Sequence, residues 1–141
     1  MEVRKETNKI ILHHSLTTYD VGVKQIREWH KTKGWEDIGY HYVIRKDGTI
    51  EEGRELKYQG AHAKGRNADS IGICIIGDFS KQIPLPAQLQ AVNELITLLI
   101  ELYGMDNDQG WYDIVEMHRD LEEANPCPGE NFQELFWSNI Y

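Results

Sequence analysis

The run Ile71-Gly72-Ile73-Cys74-Ile75-Ile76 carries no charged or hydrogen-bonding side chain on either of the two faces that a strand presents. Successive side chains of a strand point to opposite faces. Such a segment therefore needs apolar cover on both sides, which an α/β sheet with helices above and below supplies. Gly77-Asp78 ends the run with residues that favour turns.

The rest of the chain alternates between strand and helix signals, as a sheet of that kind requires. Ile10 to His13 is a short apolar run suited to a buried strand. Asp20 is placed to cap a helix carrying Val23, Ile26, Trp29 and His30 at three- and four-residue spacings, with Gly34 at its end. Tyr40 to Arg45 alternates, and Asp47-Gly48 followed by Thr49-Ile50-Glu51 signals a hairpin with a tight turn. Pro86 opens the longest helix, whose stripe runs through Leu89, Val92, Leu95, Ile96, Leu99 and Leu102 until Gly104 closes it. Ile114 and Val115 mark a last strand leading to Met117-His118, and a terminal helix with Phe132, Leu135 and Phe136 on one face follows Pro128-Gly129. With no repeat or linker in 141 residues, the expectation is one domain over 1–141. Its class is α/β, a central mixed sheet flanked by about three helices.

A net charge of −8, from 15 basic and 23 acidic residues, argues against nucleic acid as a partner, because phosphate neutralisation needs clustered Lys and Arg. No apolar run approaches the length that crosses a bilayer. The opening Met1-Glu2-Val3-Arg4-Lys5-Glu6 is of mixed charge, unlike a secretory leader, so the expectation is synthesis in the cytoplasm without a signal peptide. In a reducing compartment each of the two cysteines is read by itself. Cys74 lies within the apolar strand and reads as core, whereas Cys127 lies between Pro126 and Pro128 and does not.

His13, His118 and Cys127 form a ligand set. Imidazole nitrogen and thiolate sulfur suit a borderline-soft cation such as Zn²⁺, and three protein ligands leave a fourth position for water. Both ligand-bearing segments follow a predicted strand, where sites in α/β sheets are commonly built. His13 and His14 alternate to opposite faces of their strand, so only one of the pair can face a metal.

Five stretches carry a family resemblance: Ile11-Leu12-His13-His14-Ser15; Gly39-Tyr40-His41-Tyr42; Gly60-Ala61-His62-Ala63; Ser70-Ile71-Gly72-Ile73-Cys74 with Gly77-Asp78-Phe79; and His118-Arg119-Asp120 with Cys127-Pro128-Gly129. Together, in this order and over about residues 9–136, they resemble the zinc-dependent N-acetylmuramoyl-L-alanine amidases, whose fold is shared by peptidoglycan recognition proteins and T7-lysozyme-like endolysins. The resemblance implies zinc held by His13, His118 and Cys127, and Tyr40 as the catalytic phenol. It implies hydrolysis of the amide bond between N-acetylmuramic acid and L-alanine, with bacterial peptidoglycan or a muropeptide as partner. The expected setting is a monomeric phage or prophage endolysin acting on the cell wall after release, with a bacterial wall-recycling amidase or a secreted wall-degrading enzyme as the other settings. The alternative is a module that binds muropeptides without cutting them; such binders commonly lose the ligand cysteine, which is present here. A purely structural zinc site would want a fourth protein ligand, and none is well placed.

His41 alternates away from Tyr40 and reads as structural. His62 matches a groove histidine of the relatives and is read as a substrate contact or a plain loop residue. Asn67 and Lys64 belong to the same loop, either lining the groove or solvated. The chain departs from the family near Cys127. Relatives commonly carry Lys or Thr two positions before the ligand cysteine; here that position is Asn125, and the offset from His118 to Cys127 is nine residues, one more than usual. An amide can donate a hydrogen bond to an oxyanion but cannot carry a proton at neutral pH. The extra length brings Glu122 and Glu123 into question, either as approaching the metal or as solvated loop residues.

Overall fold

A computed structural model describes all residues except 106, 107, 109, 123 and 141, and the side chains of all but 139 and 140 of these. Five strands form one sheet: β1 (Lys9–His14), β2 (Tyr42–Ile44), β3 (Ile50–Glu52), β4 (Ser70–Ile75) and β5 (Val115–Met117). Their order is β3-β2-β4-β1-β5, parallel throughout except for the β2/β3 hairpin. Among the described residues the four α-helices are α1 (Val23–Thr32), α2 (Pro86–Tyr103), the single turn α3 (His118–Leu121) and α4 (Glu130–Ile140). The mixed sheet and single domain match the sequence expectation, with the short α3 added to the three long helices.

The doubly apolar run lies in the central strand. Ile71, Ile73 and Ile75 of β4 join Ile10 and Leu12 of β1 in a core closed by α2 and by Phe132 and Phe136 of α4. Cys74 and Ile76 point the other way, toward Val23 and Ile26 of α1. Ile96 of α2 is fully buried in the larger core. Ile96→Ala should lower stability by about 2–5 kcal/mol, read as a drop in urea midpoint at unchanged slope.

Two helix details differ from the sequence reading. Asp20 does not cap α1: its carboxylate pairs with Arg45 at 2.8 Å, and the first helical N–H, that of Val23, is accepted instead by Glu51 of β3 at 2.9 Å. An orphan N–H needs an acceptor, but the acceptor need not be close in sequence. In α2, Leu102 is 62% exposed while Ile100 turns to the core. Gly104 adopts the left-handed conformation, φ 59°, and ends α2 as expected.

The topology fixes where chemistry can occur. β1 and β5 run parallel with Leu12 paired to Met117, so the next residues, His13 and His118, leave the same edge of the sheet side by side.

Candidate metal centre

His13, His118 and Cys127 converge, with one ligand atom from each lying within 4.8 Å of the other two. His13 Nδ1 is 3.8 Å from Cys127 Sγ. Tetrahedral zinc with ordinary N and S bond lengths would separate such a pair by about 3.6 Å, so the spacing fits one shared ion. The His118 ring lies 4.6 Å from that of His13, centroid to centroid. Its Nε2 meets the Glu122 carboxylate at 3.0 Å, which leaves Nδ1 as the free donor.

The protonation states suit a ligand set, which must present lone pairs. Burial first, and then the neighbouring charges of His62, His118 and His14, hold the His13 pKa well below that of a free imidazole. Burial also lowers His118, against an opposing pull from Glu122. Without a cation the Cys127 thiol is pushed up to about 12, chiefly by burial, although the His14 N–H donates to its sulfur at 3.3 Å. A thiol that cannot ionise alone is a poor nucleophile, but a divalent cation reverses that balance. The donor chemistry therefore favours a metal site over a cysteine nucleophile.

His14 lies on the opposite face, as strand alternation demands. Its Nδ1 accepts the Phe79 N–H at 3.1 Å and its ring lies against the Phe79 ring. Cys74 is fully buried core.

The three residues open into a cleft of about 390 Å³ whose walls include Trp29, His30, Trp35, Tyr40 and Asn125. The Tyr40 ring lies 5.1 Å from that of His13. Its phenol pKa is raised well above the usual value, first by burial, then by Cys74 and Cys127 and by a hydrogen bond to Cys74. The hydroxyl therefore remains a proton-bearing donor at neutral pH. His30, read from the sequence only as part of a helix face, accepts the Gly39 N–H at 2.9 Å and so fixes the strand entry beside Tyr40.

The remaining candidates hold the architecture. His41 Nδ1 accepts the Gly72 N–H and its Nε2 meets the Tyr58 carbonyl, a structural placement. His62 is 8% exposed and lines the cleft beside His13, with 2.8 Å between His13 Nε2 and His62 Nδ1. The Asn67 side-chain oxygen accepts the N–H groups of His62 and Ala63, both at 3.0 Å, and so folds the loop inward. Lys64 is exposed. Asn125 lines the cleft, but its oxygen accepts the Cys127 N–H and its amide donates to Glu122, each at 3.0 Å. Glu122 is solvent-facing yet bridges His118 and Asn125, a contact absent from the solvated-loop reading; Glu123 lies outside the described residues.

Residues 3–130 match the model of the N-acetylmuramoyl-L-alanine amidase family. The chain belongs to that family. The amidase is 48% identical over 106 residues to an endolysin of Klebsiella phage KP32, covering 70% of this chain and 68% of the phage protein. Among solved structures it resembles the endolysin amidase LysCS of Clostridium intestinale URNW, with a TM-score of 0.86 and 33% identity over 99% of this chain and 86% of that one. It also resembles a chain in the structure of the peptidoglycan recognition protein LCa and LCx ectodomain complex bound to tracheal cytotoxin, with a TM-score of 0.83 and 28% identity over 96% of this chain and 84% of that one. The expected amidase fold is thus present in the amidase.

Proposed function

We propose that this amidase is a zinc-dependent endolysin that hydrolyses the amide bond joining the lactyl group of N-acetylmuramic acid to L-alanine of the peptidoglycan stem peptide. The observation that carries the reading is the convergence of two neutral imidazoles, a thiol and a protonated phenol on one cleft. His13, His118 and Cys127 would hold the ion, and zinc, when bound, supplies Lewis acidity that activates water and polarises the scissile carbonyl near neutral pH.

The other work falls to the chain's own residues. The Tyr40 hydroxyl, hydrogen-bonded to Cys74 in the free protein, turns its hydrogen toward the carbonyl oxygen as negative charge develops there; the ring is already in place, so that O–H rotation is all the donor requires. The same phenol can relay the proton that balances the reaction, giving its hydrogen to the leaving amine and taking up the one that the attacking water releases. Asn125 is the second cleft donor: its NH₂ group carries two hydrogens, of which the bond to Glu122 uses one. The sequence offers His62 and Asn67 as substrate contacts or plain loop residues, and the His62 contact to His13 together with the Asn67 bond to the His62 backbone supports a bracing part for both.

Action as a monomer is part of the proposal. The phage endolysin relative supports action on the wall after release, and among the described residues no helix is long and apolar enough to cross a membrane. The alternative, a muropeptide-binding module, is weakened by the presence of all three ligands together with Tyr40.

Incubation with purified sacculi tests the reading. The expected products are free stem peptides with a new L-alanine amino terminus and glycan strands left unbroken. A chelator should abolish release, and added zinc should restore it. Binding to sacculi without release of peptide would sink the hydrolase reading and favour the recognition module.

A further inference from the structure

Behind His13 lies a chain of buried polar groups that the reaction as described does not use. Ser70, the first residue of β4, is fully buried. Its Oγ lies 2.6 Å from the Arg66 carbonyl oxygen and 3.2 Å from His62 Nε2. His62 Nδ1 in turn lies 2.8 Å from His13 Nε2. A carbonyl oxygen can only accept, and a serine hydroxyl has one hydrogen. The short contact to Arg66 therefore takes the Ser70 hydrogen, and toward His62 the hydroxyl can only accept.

The consequence runs along the chain of contacts. His62 must carry its hydrogen on Nε2. A neutral imidazole has one N–H, so His62 Nδ1 is a lone pair, and the hydrogen between the two rings belongs to His13 Nε2. His13 Nδ1 is then left as a lone pair on the side facing Cys127 Sγ, 3.8 Å away. The opposite arrangement, with Ser70 donating to His62, abandons the Arg66 carbonyl. It would also place a hydrogen on His13 Nδ1, where a lone pair is needed to bind metal.

We infer that Ser70 and His62 are positioning residues that fix the tautomer of His13, so that its Nδ1 lone pair is aimed at the metal position before any ion arrives. The assignment rests on the metal-centre reading above, and it gives His62 a role other than substrate contact. Outer partners of this kind orient a ligating imidazole and set which nitrogen binds.

The surrounding backbone is shaped to hold the brace. A Cβ added at Gly72 of β4 would lie 2.4 Å from His62 Cγ, and one at Gly60 would lie 2.6 Å from His62 Cδ2. The ring thus occupies the space that side chains at both positions would need. The His62 backbone is fixed by Asn67, and the one-turn 3₁₀ helix over Asn67–Asp69 delivers the chain directly into Ser70.

Nitrogen-15 NMR of histidine-labelled full-length protein reads the tautomers directly. With or without added zinc, His62 and His13 should both be protonated at Nε2, and His13 Nδ1 should carry no hydrogen, giving a free lone-pair signal without the metal and a shifted one with it. A His62 protonated at Nδ1 in the native protein overturns the proposal. Ser70→Ala, checked for folding by its amide spectrum, should convert His62 to a mixture of tautomers and weaken zinc binding in a chelator competition by roughly 10–100-fold. Unchanged tautomers and an affinity within twofold of the parent would also overturn it. Should the parent protein bind no zinc at all, the metal reading fails, and the NMR of the metal-free protein still decides the tautomer.

Discussion

Cys127→Ser should lose zinc and, with it, hydrolysis of peptidoglycan by about a thousandfold or more. The thiolate supplies the soft donor of the set and a full negative charge against the cation. A serine hydroxyl stays protonated and reaches less far, so two imidazoles and an alcohol remain. Folding should survive, because Cys127 is half-buried at the cleft and belongs to neither apolar core. Metal analysis of the purified variant, beside peptide release from sacculi, reads both effects. Zinc retained near one per chain after removal of the sulfur would refute the ligand assignment.

Tyr40→Phe separates chemistry from metal binding. The ring packs against the apolar cluster beneath α1, and the substitution keeps that packing while removing only the hydroxyl. The loss of one preorganised oxyanion donor costs about 10²–10³ in rate. Release from sacculi should fall by that factor, with zinc content and melting temperature close to the parent. Because burial keeps the phenol protonated beyond its ordinary range, titration of this donor should not limit the parent's rate on the alkaline side. Near-parental hydrolysis by the zinc-loaded variant would remove Tyr40 from the mechanism.

The fold was legible where one strong pattern decided it. The doubly apolar run from Ile71 could only be a covered central strand, and β4 occupies that place. Pro86 and Gly104 bracket the long helix as their backbone preferences require. Asp20 misled because a capping residue looks the same in sequence whether it caps or pairs with Arg45 across the fold. The three residues that converge on the cleft stood out through the family resemblance and not through their types, since a histidine at a strand edge can equally be structural, as His41 is. The residues that support them did not stand out. Ser70 reads as the polar start of an apolar strand, and nothing local indicates that its hydroxyl meets His62. Glu122 reads as a solvated acid in a lengthened loop, and only the folded turn brings it to His118. Both roles depend on which atom a ring turns toward its neighbour, and a linear pattern carries no such information.

The separation of the ligands along the chain has a bearing on when this enzyme can act. His13 and Cys127 stand 114 positions apart, with α1, β2, β3, β4, α2 and β5 all lying between them in the chain. During synthesis the first imidazole emerges early, and the sulfur emerges only after the sheet and the long helix have been made. A ribosome-bound fragment therefore holds an incomplete site and cannot cut, whatever the supply of metal. For a wall-cutting amidase of this family, competence therefore waits on the segment that follows β5.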